Sequence, residues 1–526
     1  MKLASRSLAL MLAIALAFSA LAQDSYQPEE FDGFPYDDQP NAVIPNDVIV
    51  VMGSDDFDPS TPAGAYLQEV ARVYEQMHPN IDVQLNYGSW GDLWNKVGVM
   101  LGNRQGPDLV VGPRDYLMAT GRGGGQWEDI VTVPEDQFLR PMALEALGAT
   151  LREASRFPGR DGYMVWPWTV YIDGTMVVNG DMIREAGMDP LEIQRNGWTM
   201  EQFMDVAAQV SDDDSVAAFF GPMGGHNGER IFLTGLLSHR IPYRLQAHGG
   251  GQPTFIDIET GETHFDAEGF TRGCEAIRTF IDEGWVPENT VGIAFEESRD
   301  AFITGQTAFS FDGPDLINLV EERNRQIENG EVQGDPVEAF VVPRPHFGGG
   351  DEWQPVPITA LSYGYYSFKQ EPYKGDAHTR NVFDFARFLT DPVFQVRQAA
   401  DNNIPPDPRV YLGEQSWFPG ILGSGPNAQY VQSLREVWQP SMKIYISMAT
   451  TPEWQAAIRD FNTEVYTPTK EEVFLGRISC DEAVSQIQTG LERVAQEVPQ
   501  GERLTEEAPA IAEDMAAFAR EIGQPE

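Results

Sequence analysis

The chain has few cysteines, few lysines and no apolar run of membrane-spanning length. Only Cys274 and Cys480 occur among its 526 residues. Two thiols this far apart in sequence are expected to be separately buried, although export permits one disulfide. The longest apolar run, Leu8 to Phe18, is shorter than the roughly 18 residues typical of a spanning helix. A membrane-spanning protein is therefore not predicted.

The N-terminus has the features of a secretory signal. Lys2 and Arg6 precede the apolar run, and the small residues Ala20-Leu21-Ala22 follow it. This pattern predicts a cleavable signal over residues 1–22 and a periplasmic or otherwise extracytoplasmic location. Because no cysteine follows the signal directly, an N-terminal lipid anchor is not expected. About 500 remaining residues favour two large lobes over one core.

Positive charge is scarce. The chain has 80 acidic against 36 basic residues, a formal net charge of -44, and only six of the basic residues are lysine. Such a surface repels phosphates, so neither a nucleic acid nor an anionic membrane is expected as a partner. The composition favours a halophilic protein, whose self-repulsion is screened by salt. An ordinary acidic protein is the alternative.

Sequence motifs for catalysis and metal binding are also missing. The histidines His226, His239, His248 and His264 do not have metal-ligand spacing, and no H-E-x-x-H occurs. The chain contains no G-x-S-x-G elbow, phosphate-binding loop or dinucleotide fingerprint. We therefore predict no catalytic residue, metal or cofactor. A carboxylate pair for glycoside hydrolysis stays open, since 80 acidic residues offer many pairs.

What is present is an alternation of strand and helix patterns. After an acidic leader, residues 23–46, "VIVVM" is typical of a buried strand, and Leu67, Val70, Ala71 and Tyr74 have helical spacing. "IDVQLNY" and "LVVG" continue as strands, which predicts an α/β fold with a parallel sheet. A further strand is predicted at "TMVVN", and a helix opened by Thr199 is predicted over "TMEQFMDVAAQV"; "AFVVPRP" and "LSYGYYSF" come later in the same alternation. Asp108 is expected in a turn, and residues 499–526 as a polar turn and one exposed helix.

Five segments, in order, carry a resemblance. They are "YEQMHPNIDVQL", "GPDLVV", "GYMVWPWTVYIDGTMVVNGDMIREAGMDP", "AFITGQTAFSFDGPD" and "FLGRISCDEAVSQIQ". Together they resemble the extracellular solute-binding proteins of ABC importers, in the sugar-binding family that includes maltose-binding protein. The resemblance runs from about Val48 to Val494.

The resemblance implies an α/β, two-lobed periplasmic binding protein fold of class II type, with a hinge and a ligand cleft between the lobes. Its boundaries would be residues 47–166 and 343–395 for the first lobe, 167–342 and 396–498 for the second, and 499–526 for a C-terminal tail. Lobe closure around a solute would be a hinge motion.

The resemblance also implies a cleft, in which aromatic side chains stack on sugar rings and polar groups bind hydroxyls. The candidate ligand-binding residues are Ser54, Asp55, Trp90, Arg114, Asp115, Trp168, Tyr171, Phe220, Asp315, Trp353 and Tyr445. A core position is the favoured interpretation of both Trp166 and Phe220, with a contact in the cleft as the alternative. Asp315 stands where the family often has tryptophan, which argues against maltodextrin specificity; a helix cap is its alternative role.

The expected function is capture of a sugar or oligosaccharide and its delivery to ABC transporter permease subunits, by a monomer that is not an enzyme. A polyol or a quaternary-ammonium osmolyte is an alternative solute, because an acidic cleft with aromatic walls also suits such a cation. A secreted glycoside hydrolase is the alternative from another class. A sensor that serves a chemoreceptor would share the same fold.

Overall fold

The structure, a computed structural model, describes residues 46–54, 62–88, 107–113, 165–211, 255–287, 290–348, 359–368, 374–389 and 449–521 apart from single positions, with shorter stretches elsewhere. Its strands are β1 Asp47–Ser54, β2 Ile81–Gly88, β3 Leu109–Pro113, β4 Trp166–Asp173, β5 Thr175–Asn179, β6 Phe309–Ser310, β7 Ala339–Pro343, β8 Thr359–Ser367 and β9 Gln439–Pro440.

The α-helices of this part of the chain are α1 Pro62–Met77, α2 Gly180–Glu185, α3 Pro190–Asn196, α4 Met200–Val210, α5 Ala267–Asp282, α6 Phe295–Ile303, α7 Leu316–Glu328, α8 Asp376–Leu389, α9 Pro452–Phe461, α10 Thr467–Phe474, α11 Cys480–Glu497 and α12 Ala508–Glu521. A π-helical turn, Asn462–Tyr466, joins α9 to α10. Short 3-10 turns occupy Tyr243–Leu245, Thr290–Gly292 and Gln500–Glu502. None of the helices in the described ranges is long and apolar enough to cross a membrane.

The first sheet has the strand order β2-β1-β3-β8-β4, with β9 beside β8. Strands β1, β2 and β3 are parallel, which confirms the predicted strand-helix-strand unit. Strand β8 is antiparallel to both β3 and β4. The sheet is therefore mixed, which the alternation of strand and helix patterns does not reveal, because β8 enters from a distant part of the chain.

The first core lies between this sheet and helices α1 and α8. Leu67, Val70 and Tyr74 of α1 are buried, as their helical spacing predicts. The Tyr74 ring lies 4.9 Å from the ring of Phe385 in α8, measured between centroids. Trp166 is fully buried against α8, which confirms its expected core position.

The second sheet has the order β6-β5-β7, and both of its strand pairs are antiparallel. The side chains of its central strand, β5, point alternately to the two faces of the sheet, and both faces are covered by a core. Met176 and Val178 belong to one core, and Val177 belongs to a smaller one with α6 and α7. Thr199 caps α4 with a reciprocal capping box to Gln202, at the helix start that the sequence predicts.

Between β4 and β8 the chain passes twice from one sheet to the other. Strand β4 stays in the first sheet as far as Asp173, and the second sheet begins at Thr175. The second passage leaves β7 at Pro343 and enters β8 at Thr359.

The C-terminal segment corrects one expectation. Helix α12 is not an exposed appendage, since Ala508, Met515 and Ala519 are buried in the same core as Met176. Buried Arg503 fixes the preceding turn, because its guanidinium donates to the backbone carbonyls of Gly261, Ala495 and Val498. The apolar residues of this segment have helical spacing. Its many acidic residues, however, suggest an exposed helix and give no sign that one face is buried.

The pairing of the two cysteines corrects a second expectation. Cys274 of α5 and Cys480 at the start of α11 form a disulfide across 206 residues of sequence. The expectation of separately buried thiols is therefore wrong. Helices α5 and α11 pack side by side in the second core, and this contact brings the two sulfur atoms together.

Candidate functional site

Three parallel strands end at one edge of the first sheet. Strand β1 ends at buried Ser54, which pairs with Gly88 at the end of β2, and β3 ends at Pro113. In open α/β sheets, ligands bind outside the carboxyl ends of such strands. Asp55, Trp90, Arg114 and Asp115 follow these three ends within two residues in the sequence; they lie outside the described residues.

Strand β4 of the same sheet contains a β-bulge at a candidate residue. Its register against β8 shifts between Pro167 and Thr169, so that Trp168 is the extra residue of a β-bulge. Tyr171 pairs with Leu361 farther along the same strand. Bulges often occur next to active sites, where they re-aim side chains. The backbone positions of both candidates are described, and their side chains lie outside the described set.

A series of polar contacts lies at one edge of the second sheet. The first passage enters the sheet at this edge, and the second passage leaves it there. The guanidinium of Arg299 forms a double ion pair with Asp312, with Nε 2.7 Å from Oδ2 and Nη2 2.8 Å from Oδ1. The Thr175 hydroxyl donates to the Asp312 carbonyl at 3.4 Å. In turn, Nε of Arg344 donates to the Thr175 carbonyl at 3.4 Å.

Most of the remaining candidates fall in segments that are not described. Phe220, Asp315, Trp353 and Tyr445 lie outside the described residues, as do the four candidates after β1, β2 and β3. Ser54 is the one candidate with a described side chain, and it lies at the predicted strand end. These positions as a ligand-binding set stay a prediction.

The Arg299–Asp312 pair is a feature that the sequence did not suggest. Asp312 precedes the "GPD" segment, three residues before the candidate Asp315. Arg299 lies in the acidic helix segment "FEESRDAFI", where an arginine is typical of an exposed face. Nothing local indicates the pairing, because the helix and the segment after β6 must fold together before the two side chains meet.

The opposite edge of the first sheet holds a buried ionic cluster. The two ring nitrogens of His378 lie 2.7 Å and 2.8 Å from carboxylate oxygens of Asp47 and Asp108. Lys374 Nζ lies 3.1 Å from Asp108, which also accepts the Val50 N–H. Asp108 lies in a bend directly before β3, and its carboxylate also joins β1 to the segment before α8, a role that the expectation of a turn residue did not include.

The cluster changes the acid–base behaviour of His378. Burial by itself lowers the pKa of the imidazole, but the hydrogen bonds and negative charges of Asp108 and Asp47 outweigh it, and the pKa is raised above 6.5. His78, directly after α1, shows the reverse: burial lowers its pKa, and the charge of Asp384 only partly opposes this. Both groups lie away from the candidate edge, at the amino ends of the parallel strands and beside α8.

Among the described residues, no group of three or more histidine, cysteine, aspartate or glutamate side chains is arranged to hold a metal ion. Ser54 lies at the candidate edge of the first sheet, whereas the Arg299–Asp312 pair, Thr175 and Arg344 lie at the edge of the second sheet. These groups suit hydrogen bonding and positioning.

The comparison with protein families is decisive. Residues 69–418 match the model of the bacterial extracellular solute-binding proteins. The chain belongs to this family. The match begins in α1 and includes both sheets apart from β1 and the short β9. Solute binding is therefore the activity of the family, and the two-lobed fold of its sugar-binding members is the fold of this chain.

Solved structures agree with this solute-binding fold. The GacH receptor of Streptomyces glaucescens, solved without ligand and with acarbose, has a TM-score of 0.59 at 13% identity, and the match covers 85% of this chain and 98% of the receptor. The maltose/maltodextrin-binding domain of Bdellovibrio bacteriovorus, bound to maltotriose, has 0.58 at 15%, covering 85% and 100%. A solute-binding protein of Thermotoga lettingae, bound to α-D-tagatose, has 0.60 at 14%, covering 86% and 99%.

Proposed function

We propose that this solute-binding protein captures a sugar or oligosaccharide between its two lobes and delivers it to the permease of an ABC transporter. The observation that carries the proposal is the likeness of the fold, over 85% of the chain, to proteins solved with acarbose and maltotriose. A bound solute drives closure only as far as it prefers the closed state.

The arrangement of the candidates supports the proposal. Three parallel strands end at one edge, and an aromatic residue and charged residues follow these ends in sequence. Sugars need apolar surfaces for their C–H faces and polar groups for their hydroxyls. A buried hydroxyl without a partner costs about 1–3 kcal/mol, and this cost allows such a site to discriminate between epimers.

The proposal extends to the lobes and the setting of the protein. We take the first lobe to contain the first core and the second lobe to contain the second, with the hinge in the passages after Asp173 and Pro343. The protein would act outside the cytoplasm as a monomer, without a lipid anchor and in salt-rich surroundings. Trp90, Trp168 and Tyr445 would stack on the solute, whereas Asp55, Asp115 and Asp315 would accept hydroxyl protons.

A thermal-shift screen of the purified mature protein in high salt tests the function. The panel would hold mono-, di- and oligosaccharides, polyols and betaines. A solute at a hundredfold excess over its dissociation constant adds about 2.7 kcal/mol of stability through linkage. A shift with one sugar class, with the sugar recovered intact, supports the proposal. A shift with betaines alone favours an osmolyte-binding protein, and hydrolysis of a glycan would make the protein a glycoside hydrolase.

Two tryptophans on β4 allow a matched test of the site. We expect Trp168→Ala to abolish the shift given by the identified solute while leaving the melting temperature of the empty protein nearly unchanged. Trp166→Ala should lower the stability of the empty protein by about 3–5 kcal/mol, because Trp166 is buried against Phe383 with ring centroids 5.2 Å apart. Equal loss of stability in both variants would place Trp168 in the core.

A further inference from the structure

We propose that Arg299 and Asp312 are positioning residues for solute binding: they fix the segment that carries Asp315 to the two passages between the sheets. This inference rests on the proposed function and deepens it, because it concerns how the second lobe holds its side of the cleft. Asp312 is fully buried, so it acts through the segment and not by contact with solute.

The pair has the geometry of a rigid clamp. Arginine presents a planar fork that matches a carboxylate with two parallel hydrogen bonds, and both bonds are made here. The side chains are 12% and 0% exposed. The guanidinium also lies 4.6 Å from the ring centroid of Phe295, one turn earlier in α6. Helix α6 therefore fixes the orientation of the Arg299 guanidinium, and the two hydrogen bonds fix the position of the Asp312 carboxylate relative to it.

Asp312 transmits this orientation to the chain around it. Its Oδ1 accepts the N–H of Gly313 at 2.8 Å, which fixes the turn that leads to Asp315. Its carbonyl accepts the hydroxyl of Thr175, the first residue after the first passage. The carbonyl of Thr175 accepts Nε of Arg344, the first residue of the second passage. The Asp312 carboxylate thus joins helix α6 to the segment before Asp315, and the Asp312 carbonyl, through Thr175, links that segment to both passages.

Stability alone is a weak explanation for this pair. A buried ion pair costs much desolvation, and its replacement by apolar residues of similar volume is often neutral or stabilising. An apolar pair, however, would not hold the Gly313 N–H or define one orientation. The positioning role therefore predicts that affinity and local order are lost while global stability is kept.

Two variants separate these roles. Arg299→Lys keeps a positive charge beside Asp312 but cannot form the fork. The double variant Arg299→Met with Asp312→Leu removes both charges, so that no carboxylate is left buried without its partner. Arg325→Met is the matched control, because Arg325 of α7 forms an exposed ion pair with Glu322 in the same lobe.

Hydrogen exchange of the solute-free protein is the decisive measurement. Both Arg299 variants should exchange about tenfold faster in peptides covering residues 311–318, 175–179 and 341–348. Peptides from α11 should be unchanged, and the control should match the wild type throughout. Unchanged exchange at the three segments, or a uniform rise across the second lobe, would overturn the proposal.

Calorimetric titration with the sugar of the thermal-shift panel that stabilises the wild type adds a functional readout. We expect both Arg299 variants to bind this sugar about tenfold more weakly, equivalent to 1.4 kcal/mol, with melting temperatures within about 3 °C of the wild type. Wild-type affinity in variants with faster local exchange would also overturn the positioning role. If no sugar of the panel binds the wild type, that result contradicts the proposed function, and the exchange experiment still decides on the pair.

Discussion

At the residue scale, His378 of helix α8 and His78, which lies beside that helix, have opposite electrostatic surroundings. His378 lies between the carboxylates of Asp47 and Asp108. Lys374 donates to the same Asp108 oxygen that faces His378, and the Asn381 amide donates to Asp47. His78 lies 3.8 Å from Asp384 and is dominated by burial. The protonated form is favoured at one site and disfavoured at the other.

These opposite pKa shifts predict that stability has a maximum near the ordinary histidine pKa of 6.5. The folded pKa of His378 is raised, so its contribution is complete below 6.5 and is lost as pH rises through the folded pKa. The folded pKa of His78 is lowered, so stability is lost as pH falls from 6.5 through that value. Denaturant unfolding between about pH 5 and pH 9 measures both limbs.

Each limb has its own control variant. We expect His378→Gln to be less stable than the wild type at neutral pH but to lack the loss on the alkaline side. The variant His78→Gln should lack the loss on the acidic side and keep the alkaline one. An alkaline limb that persists in His378→Gln would show that other groups cause it.

At the element scale, the disulfide connects two helices that pack in the second core. Cys274 lies in the middle of α5, and Cys480 is the first residue of α11, where Ser479 caps the helix in a capping box with Glu482. The helix start and its capping residue are therefore held at a fixed point on α5. The long closed loop restricts the unfolded chain more than the folded one.

Removal of the disulfide should destabilise the second core. We expect the double variant Cys274→Ala and Cys480→Ala to lose about 2–4 kcal/mol in denaturant unfolding. A reductant should lower the stability of the wild type by a similar amount and leave the double variant unchanged. Equal sensitivity of both proteins to the reductant would contradict a stabilising role for the bond.

At the scale of the whole molecule, the sequence predicts the regular parts well and the long-range contacts poorly. The positions of β1, α1 and β2 follow from their apolar spacing, and Thr199 marks the start of α4. The ionic cluster at Asp108 and the Arg299–Asp312 pair escape such analysis, because each needs segments that meet only in the folded chain.

The same limit applies to the candidate site. Ser54 lies at the predicted strand end, since strand patterns locate their own ends. Strand β4 extends to Asp173 because its antiparallel partner β8 continues to Thr359. The length of that pairing depends on a strand almost 200 residues away in sequence, and local patterns carry no information about it.

The buried C-terminal helix determines when the protein can finish folding. Among the described residues, the buried side chains of the first core come from positions no later than Leu389, whereas those of the second extend from Met176 to Ala519. Domains generally fold as units as the chain emerges during synthesis. The second core must therefore wait for the last helix, and a truncated product that stops before Ala508 keeps an apolar surface exposed. Such a product is a target for proteolysis, so quality control can distinguish it from the finished chain.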